Sequence, residues 1–220
     1  MIGKQTTMIK GIIFDLDGTL ANTLPLCIAA FRKSVEPLAG RALSDEEIIA
    51  TFGPSEEGTI RLLLPNHYEQ GIAGYLHHYA LLHGMCPEPF PGIPELLHLL
   101  QEKGIRIGMV TGKGPHSTVI SLDRFSLRPF FEYVETGSSA GPVKAEGIAA
   151  ILSHWKDLDK QQVLYVGDAP GDVVASRKAG VAVAGAAWAE TAEPSTLRAA
   201  QPDELFYRID DFRDWLLARI

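Results

Sequence analysis

The sequence predicts an α/β fold in which a doubly wound, Rossmann-like parallel sheet carries an inserted α-helical cap. Three observations lead to this prediction. Short apolar runs alternate with helical patterns, one long interval contains helical patterns alone, and polar motifs follow several of the apolar runs. Strand–helix alternation is typical of parallel sheets that are covered by helices on both faces.

Five apolar runs are predicted to be strands. Each is short, rich in Val, Ile, Phe or Ala, and apolar at consecutive positions, as expected of a strand that is buried on both faces. The five runs span residues 11–14, 105–110, 131–134, 163–166 and 181–184.

Helical patterns separate most of these runs. The first of them starts at Pro94 and stops before Gly104, which is the asymmetry expected at helix ends. A last amphipathic stretch is predicted to be a terminal helix that packs on the core. The predicted helices span residues 94–103, 115–124, 145–155, 172–179 and 210–220.

The interval 21–89 contains no predicted strand and interrupts the alternation directly after the first one. It contains a capping box that starts at Ser44 and two apolar stripes at helical spacing. The stripes consist of Leu24, Ile28, Phe31 and Val35, and of Ile72, Leu76, Tyr79 and Leu82. We therefore expect residues 1–20 and 90–220 to form the catalytic core and residues 21–89 to form a helical cap. An insertion at this point lies at the carboxyl end of the first strand, where open α/β sheets bind ligands.

Composition excludes several classes of protein. The 220 residues are 46% hydrophobic and carry 20 Lys+Arg against 27 Asp+Glu, a net charge of −7. These values are typical of globular proteins and disfavour a general nucleic-acid binder.

No apolar segment has the length of a membrane span, and the amino-terminal stretch lacks the apolar run of a signal peptide. Cys27 and Cys86 match no metal or redox spacing, so we expect reduced thiols, a cytoplasmic location and no membrane partner. The sequence leaves the oligomeric state open, as monomer or dimer.

Two carboxylates follow the first predicted strand, at Asp15 and Asp17, with Gly18 directly after them. Acids at this spacing can divide the work of one site, because one can attack or bind a metal while the other handles a proton. An Asp-Gly turn that only closes the strand is the structural alternative.

Three further motifs follow later strands. Thr111 and Gly112 precede a helix and could bind phosphate, and Lys144 could neutralise an anion, although an exposed lysine is the structural alternative. Asp168 and Asp172 suit a hard cation such as Mg²⁺, although Asp172 could instead act only as a helix cap. The carboxyl ends of parallel strands share one edge of the sheet, so these side chains should meet there. Together they suit phosphoryl transfer.

These motifs resemble those of the haloacid dehalogenase-like hydrolases, in their phosphoglycolate phosphatase-like branch. The resemblance spans residues 9–220 and includes segment 90–97, which resembles that family's return from its helical cap. It is carried by Asp15-Leu16-Asp17-Gly18-Thr19-Leu20, Thr111-Gly112, Lys144, and Gly167-Asp168 with Asp172. The sequence departs from the family pattern at Asn22, where many relatives carry an acid, at Ala145, where Pro is frequent, and at the loop Ala169-Pro170-Gly171.

The resemblance implies a role for each matching residue. Asp15 would be the nucleophile that forms an aspartyl-phosphate, and Asp17 would act as general acid and then as general base. Thr111 and the N–H of Gly112 would hold the phosphoryl group, and Lys144 would neutralise charge between it and Asp15. Mg²⁺ would bind Asp15, the main-chain carbonyl of Asp17 and Asp168, with Asp172 as a further or outer ligand.

The expected function is therefore a Mg²⁺-dependent phosphatase acting on a small phosphorylated metabolite, such as phosphoglycolate, pyrophosphate or a sugar phosphate. A phosphomutase with the same core and a non-catalytic phosphoacceptor switch remain alternatives. The segment 137–141 matches Gly-x-Ser-x-Gly, but a serine hydrolase is disfavoured because no suitable His follows the acids. Candidate cap cations for substrate recognition are Arg32, Lys33, Arg41 and Arg61.

Overall fold

A six-stranded parallel sheet forms the centre of the computed structural model, which describes residues 8–220. The strands, numbered along the chain, are β1 Gly11–Phe14, β2 Arg106–Val110, β3 Tyr133–Glu135, β4 Val163–Gly167, β5 Ala182–Ala186 and β6 Glu204–Phe206. Their order across the sheet is β3-β2-β1-β4-β5-β6. This is the order of a doubly wound Rossmann fold, so the predicted fold class is confirmed.

Ten α-helices connect and cover these strands within the described residues. They are α1 Leu24–Ala39, α2 Asp45–Ile49, α3 Glu56–Leu63, α4 Tyr68–Leu82, α5 Ile93–Glu102, α6 Pro115–Arg124, α7 Lys144–His154, α8 Pro170–Ala179, α9 Pro194–Ala199 and α10 Ile209–Leu217. The capping box predicted at Ser44 is present at the start of α2. α8 ends at Gly180, whose positive φ of 82° fits the left-handed cap that glycine favours.

The register of the three central strands sets the position of the residues that follow them. Phe14 at the end of β1 pairs with Met109 on β2 and with Val166 on β4. Because all three strands run in the same direction, the turns after them leave the sheet side by side at its carboxyl edge.

The helices α1 to α4, with a short 3₁₀ turn at His83–Met85, lie between β1 and α5. We refer to this segment, 24–85, as the cap. Its core includes Phe31 of α1 and Tyr75 of α4, whose ring centroids lie 4.5 Å apart. The predicted apolar stripe of α1 is largely buried, with Phe31 and Val35 at most 2% exposed.

The buried face of α4 differs from the predicted stripe of Ile72, Leu76, Tyr79 and Leu82. Its buried residues are Gly71, Tyr75 and Tyr79, and the other predicted positions are only partly buried. Gly71 allows the close approach, because a Cβ there would lie 2.7 Å from a side-chain atom of Ile60 on α3. Apolar periodicity misses such a contact because glycine adds nothing to it.

Strand β6 and helix α9 were not predicted from the sequence. Glu204–Phe206 is only three residues long, pairs with β5 at the edge of the sheet, and buries only Phe206. α9 has six residues, of which only Leu197 is buried. Elements this short show too little periodicity to be recognised.

No helix in the described residues is long and apolar enough to cross a membrane. Residues 1–7, which contributed to the expectation that the chain lacks a signal peptide, lie outside the described residues.

Candidate active site

The turn after β1 holds the two carboxylates of the first motif. The N–H of Asp15 donates to the carbonyl of Val166 on β4 over 2.9 Å, which keeps Asp15 in line with the sheet. Gly18 adopts a φ of 70°, and its N–H donates to the carbonyl of Ala21 over 2.9 Å, so the chain reverses sharply into the cap. Asp15 is only 4% exposed, whereas the side chain of Asp17 is 29% exposed.

Lys144, the first residue of α7, links two of these strand-end motifs. Its Nζ donates to Asp15 Oδ2 and to Asp172 Oδ1, each over 2.6 Å. Burial alone would lower the pKa of Lys144, but the two carboxylates raise it well above its ordinary value. The lysine is therefore a fixed, partly buried cation, with its side chain 19% exposed, rather than a fully exposed surface charge.

Asp15 is held at both carboxylate oxygens, since Oδ1 accepts the N–H of Leu16 over 2.7 Å. Burial raises the pKa of Asp15 to about 7, Lys144 opposes that change, and the nearby carboxylates of Asp172 and Asp17 add to it. The pKa of Asp168 is also raised well above its ordinary value, by burial and by repulsion from Asp15 and Asp172.

The carboxylates of Asp15, Asp168 and Asp172 form a compact acidic cluster, with one oxygen of each within 4.8 Å of the others. Carboxylate oxygens are the ligands that Mg²⁺ prefers, and three carboxylates gather here beside the single ammonium group of Lys144. The donor set therefore fits a divalent cation.

Asp172 already has protein partners at both oxygens. Oδ1 accepts from Lys144 and from the hydroxyl of Tyr165 over 3.0 Å, and Oδ2 accepts the N–H of Ala169 over 3.0 Å. Its side chain is fully buried. These contacts suit a residue that orients Lys144 and the loop carrying Asp168.

The loop after β2 brings Thr111 and Gly112 to the same edge. The N–H of Thr111 donates to the carbonyl of Glu135 on β3 over 3.0 Å, and its Oγ1 accepts the N–H of Lys113 over 3.2 Å. A Cβ added at Gly112 would lie 3.9 Å from Cε of Lys144, so this loop is next to the side chain of that lysine. The structure thus brings together the predicted residues on β1, β2, β4 and α7.

Sequence reasoning assigned no role to three residues that help to build this site. Tyr165 donates its hydroxyl to Asp172 and also to the carbonyl of Val110, over 3.1 Å. The sequence feature that could have indicated this role is the presence of a tyrosine within the otherwise aliphatic run of β4. Lys113 and Glu56 form a buried ion pair between core and cap, with Nζ and Oε1 3.7 Å apart. An acid in the first turn of a helix is common, so the sequence contained no signal for Glu56.

Three of the candidate cap cations have partners on or near the cap surface. Arg32 pairs with Asp45, Arg41 pairs with Glu47, and the guanidinium of Arg61 lies 4.1 Å from the ring centroid of Tyr68.

The Gly-x-Ser-x-Gly segment contacts the cap. The carbonyl of Ser138 accepts the N–H of Ser55, over 2.9 Å, just before α3. The carbonyl of Ser139 lies close to Gly58, where an added Cβ would be only 2.5 Å away. These contacts give the segment a structural explanation that requires no nucleophilic serine.

A cleft of about 630 Å³ separates the cap from the loops after β4 and β5. Asp168 lies on its core side, and Ile28, Ile49 and Met85 lie on its cap side. The cleft therefore provides a path from solvent to the acidic cluster.

Comparison with known proteins identifies the family. Residues 12–186, well over half of the chain, match the family model described as haloacid dehalogenase-like hydrolase. Pyrophosphatase PpaX of Listeria welshimeri is 32% identical over 215 residues, covering 96% of each chain. Pyrophosphatase PpaX of Bacillus pumilus is 29% identical over 205 residues, covering 92% of this chain and 94% of its own. The crystal structure of a predicted phosphoglycolate phosphatase from Haemophilus somnus has a TM-score of 0.72 at 24% identity, covering 96% of this chain and 98% of its own.

The chain belongs to the haloacid dehalogenase-like hydrolases. The resemblance drawn from the motifs is confirmed, and so is the expectation that the protein is an enzyme of the hydrolase class. The expected reaction class, hydrolysis of a phosphorylated compound, agrees with the pyrophosphatase names of the similar proteins at 29–32% identity.

Proposed function

We propose that this protein is a Mg²⁺-dependent phosphatase that hydrolyses a small phosphorylated metabolite through an aspartyl-phosphate on Asp15. The observation that carries the proposal is the position of Asp15. It is buried at the carboxyl edge of the sheet, where it contacts Lys144 and lies beside the other two carboxylates of the acidic cluster. A carboxylate in this position can act as nucleophile, because its geometry is fixed and a cation offsets the charge that builds up beside it.

In the first step, an oxygen of Asp15 attacks the phosphorus and the bond from phosphorus to the leaving oxygen breaks. Asp17 donates its proton to that oxygen, so the leaving group departs as a neutral alcohol or a protonated anion. Thr111 and the N–H of Gly112 hold the phosphoryl oxygens, while Lys144 balances the charge between them and Asp15.

In the second step, Asp17 removes a proton from water as the water attacks the aspartyl-phosphate. The bond between phosphorus and the Asp15 oxygen breaks, which releases phosphate, restores the carboxylate of Asp15 and leaves Asp17 protonated for the next cycle. One group acts first as acid and then as base because the first step leaves Asp17 ionised.

Asp15, Asp168 and the main-chain carbonyl of Asp17 would hold the metal ion, and Asp172 would be a further or outer ligand that also orients Lys144. When bound, Mg²⁺ supplies positive charge that orients the phosphoryl oxygens and neutralises them during transfer.

Phosphoglycolate, pyrophosphate and sugar phosphates are the substrate candidates. Pyrophosphate is supported by the names of the similar proteins at 29–32% identity, and phosphoglycolate by the name of the similar Haemophilus somnus protein. All three can be tested as one panel.

The test is a steady-state assay of phosphate release over pyrophosphate, 2-phosphoglycolate and hexose phosphates, with Mg²⁺ and with a chelator. We expect release from at least one substrate, and only when Mg²⁺ is present. Absence of release from every substrate would contradict the proposal. Rearranged hexose phosphate without free phosphate would point to a phosphomutase, and a phospho-Asp15 form that survives for hours would point to a switch.

A further inference from the structure

The side chain of Lys113 is buried between the core and the cap. It belongs to the loop after β2 and is only 3% exposed. Its Nζ donates to Cys27 Sγ of α1 over 3.2 Å, lies 3.7 Å from Glu56 Oε1 of α3, and lies 4.3 Å from the ring centroid of Tyr79 on α4. One core side chain therefore reaches three helices of the cap.

The same ammonium group also faces the proposed general acid and base. Lys113 Nζ lies 3.4 Å from Asp17 Oδ1, and the hydroxyl of Thr23 donates to that same oxygen. Because both contacts use Oδ1, they fix the rotation of the carboxylate and leave Oδ2 to carry the transferred proton.

Glu56 is the cap residue that holds Lys113 in this place. Its carboxylate accepts the N–H of Gly114 and the hydroxyl of Ser117, both at the start of α6 in the core. The hydroxyl of Tyr75 contacts it at 3.4 Å. The carboxylate of Glu56 is therefore bound to the core on one side and anchored to α4 on the other.

Charge argues against a direct role for Lys113 in binding an anionic substrate. Two carboxylates, Asp17 and Glu56, already face one ammonium group, and the Cys27 thiol stays neutral because burial raises its pKa to about 12. An anion added beside Nζ would meet no net positive charge, because Glu56 alone offsets the ammonium group even when Asp17 is protonated.

We infer that Lys113 is a positioning residue that orients Asp17 for proton transfer, and that Glu56 of the cap holds Lys113 in the place where it can do so. The inference rests on the proposed function, because it assigns Asp17 the proton transfer. A purely structural staple between core and cap is the alternative, and the two differ in which reaction step they affect.

The experiment measures release of the leaving group in a single turnover with enzyme in excess, which isolates the first step. Two substrates are compared: p-nitrophenyl phosphate, whose leaving group departs without a proton, and the alkyl phosphate on which wild type is most active. A mispositioned general acid slows only the second, because only the alkoxide requires protonation.

For Lys113→Met we expect a loss of about ten- to a hundredfold with the alkyl phosphate and less than about threefold with p-nitrophenyl phosphate. In an Asp17→Asn background the same substitution should lower the rate by less than about threefold with either substrate, because both substitutions remove the same function, the protonation of the leaving group. Lys178→Met is the matched control, since Lys178 forms an ion pair with Glu146 at the surface, and it should leave both rates unchanged.

Glu56→Gln provides a second variant in case Lys113→Met does not fold. Its amide oxygen can accept the N–H of Gly114 and its NH2 group can donate to the hydroxyl oxygen of Ser117, but the charge facing Lys113 is removed. We therefore expect the same substrate selectivity with a smaller loss. Equal losses on both substrates, or a Lys113→Met loss that multiplies with that of Asp17→Asn, would overturn the inference while leaving the phosphatase proposal intact. A wild-type protein that releases no leaving group from any phosphate would instead contradict the proposed function.

Discussion

Replacement of Gly18 by Ala tests whether the turn after β1 positions Asp168. A Cβ at Gly18 would lie 2.0 Å from Asp168 Oδ2 and 2.6 Å from its Cγ. Contacts this short cannot persist, and a carboxylate moves more easily than a backbone held by hydrogen bonds. We therefore expect Gly18→Ala to rotate Asp168 away from the acidic cluster.

The substitution also has a backbone cost, which a second variant isolates. Gly18 has a φ of 70°, a conformation that costs a residue with a Cβ about 1–2 kcal/mol. Gly104 has nearly the same φ of 72°, with no atom within 4 Å of an added Cβ. Gly104→Ala should therefore lower the melting temperature by about 2–4 °C for each kcal/mol of stability that is lost. It should leave the affinity for Mg²⁺ unchanged.

We expect Gly18→Ala to lose as much stability as Gly104→Ala and, in addition, to bind Mg²⁺ more weakly. Residues that support metal ligands typically contribute 10–100-fold to metal affinity, so we expect the Mg²⁺ concentration for half-maximal activity to rise by about 10–100-fold. The assays are Mg²⁺ titration of phosphatase activity, calorimetric Mg²⁺ binding, and thermal unfolding by circular dichroism. The reasoning is refuted if Gly18→Ala and Gly104→Ala bind Mg²⁺ with equal affinity.

Four further predictions follow from the site and the core. Asp15→Asn should lower phosphate release by at least about a thousandfold with an unchanged circular dichroism spectrum, and near-wild-type turnover would exclude Asp15 as nucleophile. A chelator should abolish turnover and added Mg²⁺ should restore it, so turnover that persists in excess chelator would contradict the metal role. Lys144→Met leaves buried carboxylates unpaired and should reduce the free energy of unfolding in urea by about 3–5 kcal/mol, whereas a change below about 1 kcal/mol would contradict the pairing. Burial lowers the pKa of His83 in the folded protein. In acid the unfolded chain therefore binds more protons than the folded one, and stability should be lost as the pH falls below about 6.5, the pKa of His in the unfolded chain. Urea unfolding at pH 7.5 and 5.5 should show a larger loss for wild type than for His83→Gln, and equal losses would show that His83 does not titrate in this way.

The central strands could be predicted because their signal is local and strong. β1 is buried at all four positions and β4 at all five, so an unbroken apolar run reports them directly. The polar motifs could then be placed, since any residue that follows such a run must lie at the carboxyl edge of the sheet. β3 was predicted to begin two residues too early and to end one residue too early, because its three residues are only partly buried and its pattern is correspondingly weak.

The contacts between cap and core could not be predicted, for a different physical reason. Glu56 and Ser117 are 61 residues apart, and their contact depends on how the cap helices dock on the loop after β2. Helical periodicity indicates which face of a helix is buried but not which partner it meets. Lys113 directly follows the Thr111-Gly112 motif, yet only the docked cap reveals that its side chain is buried.

The local charge of the site explains how an acidic chain can bind phosphate. Asp15, Asp168 and Asp172 contribute three negative charges and Lys144 one positive charge, so the cluster is left with two negative charges. Burial is the largest cause of the pKa of about 7 at Asp15, and the carboxylates of Asp172 and Asp17 add to it while Lys144 opposes it. A divalent cation would cancel the excess and keep Asp15 ionised, as a nucleophile must be, while the phosphoryl group would no longer meet a net negative site. Under the proposed function, metal and phosphate binding would therefore favour each other, and by linkage each would raise the affinity for the other by the same factor. Under the proposed function, phosphate would bind only when Mg²⁺ offsets the negative charge of the acidic cluster.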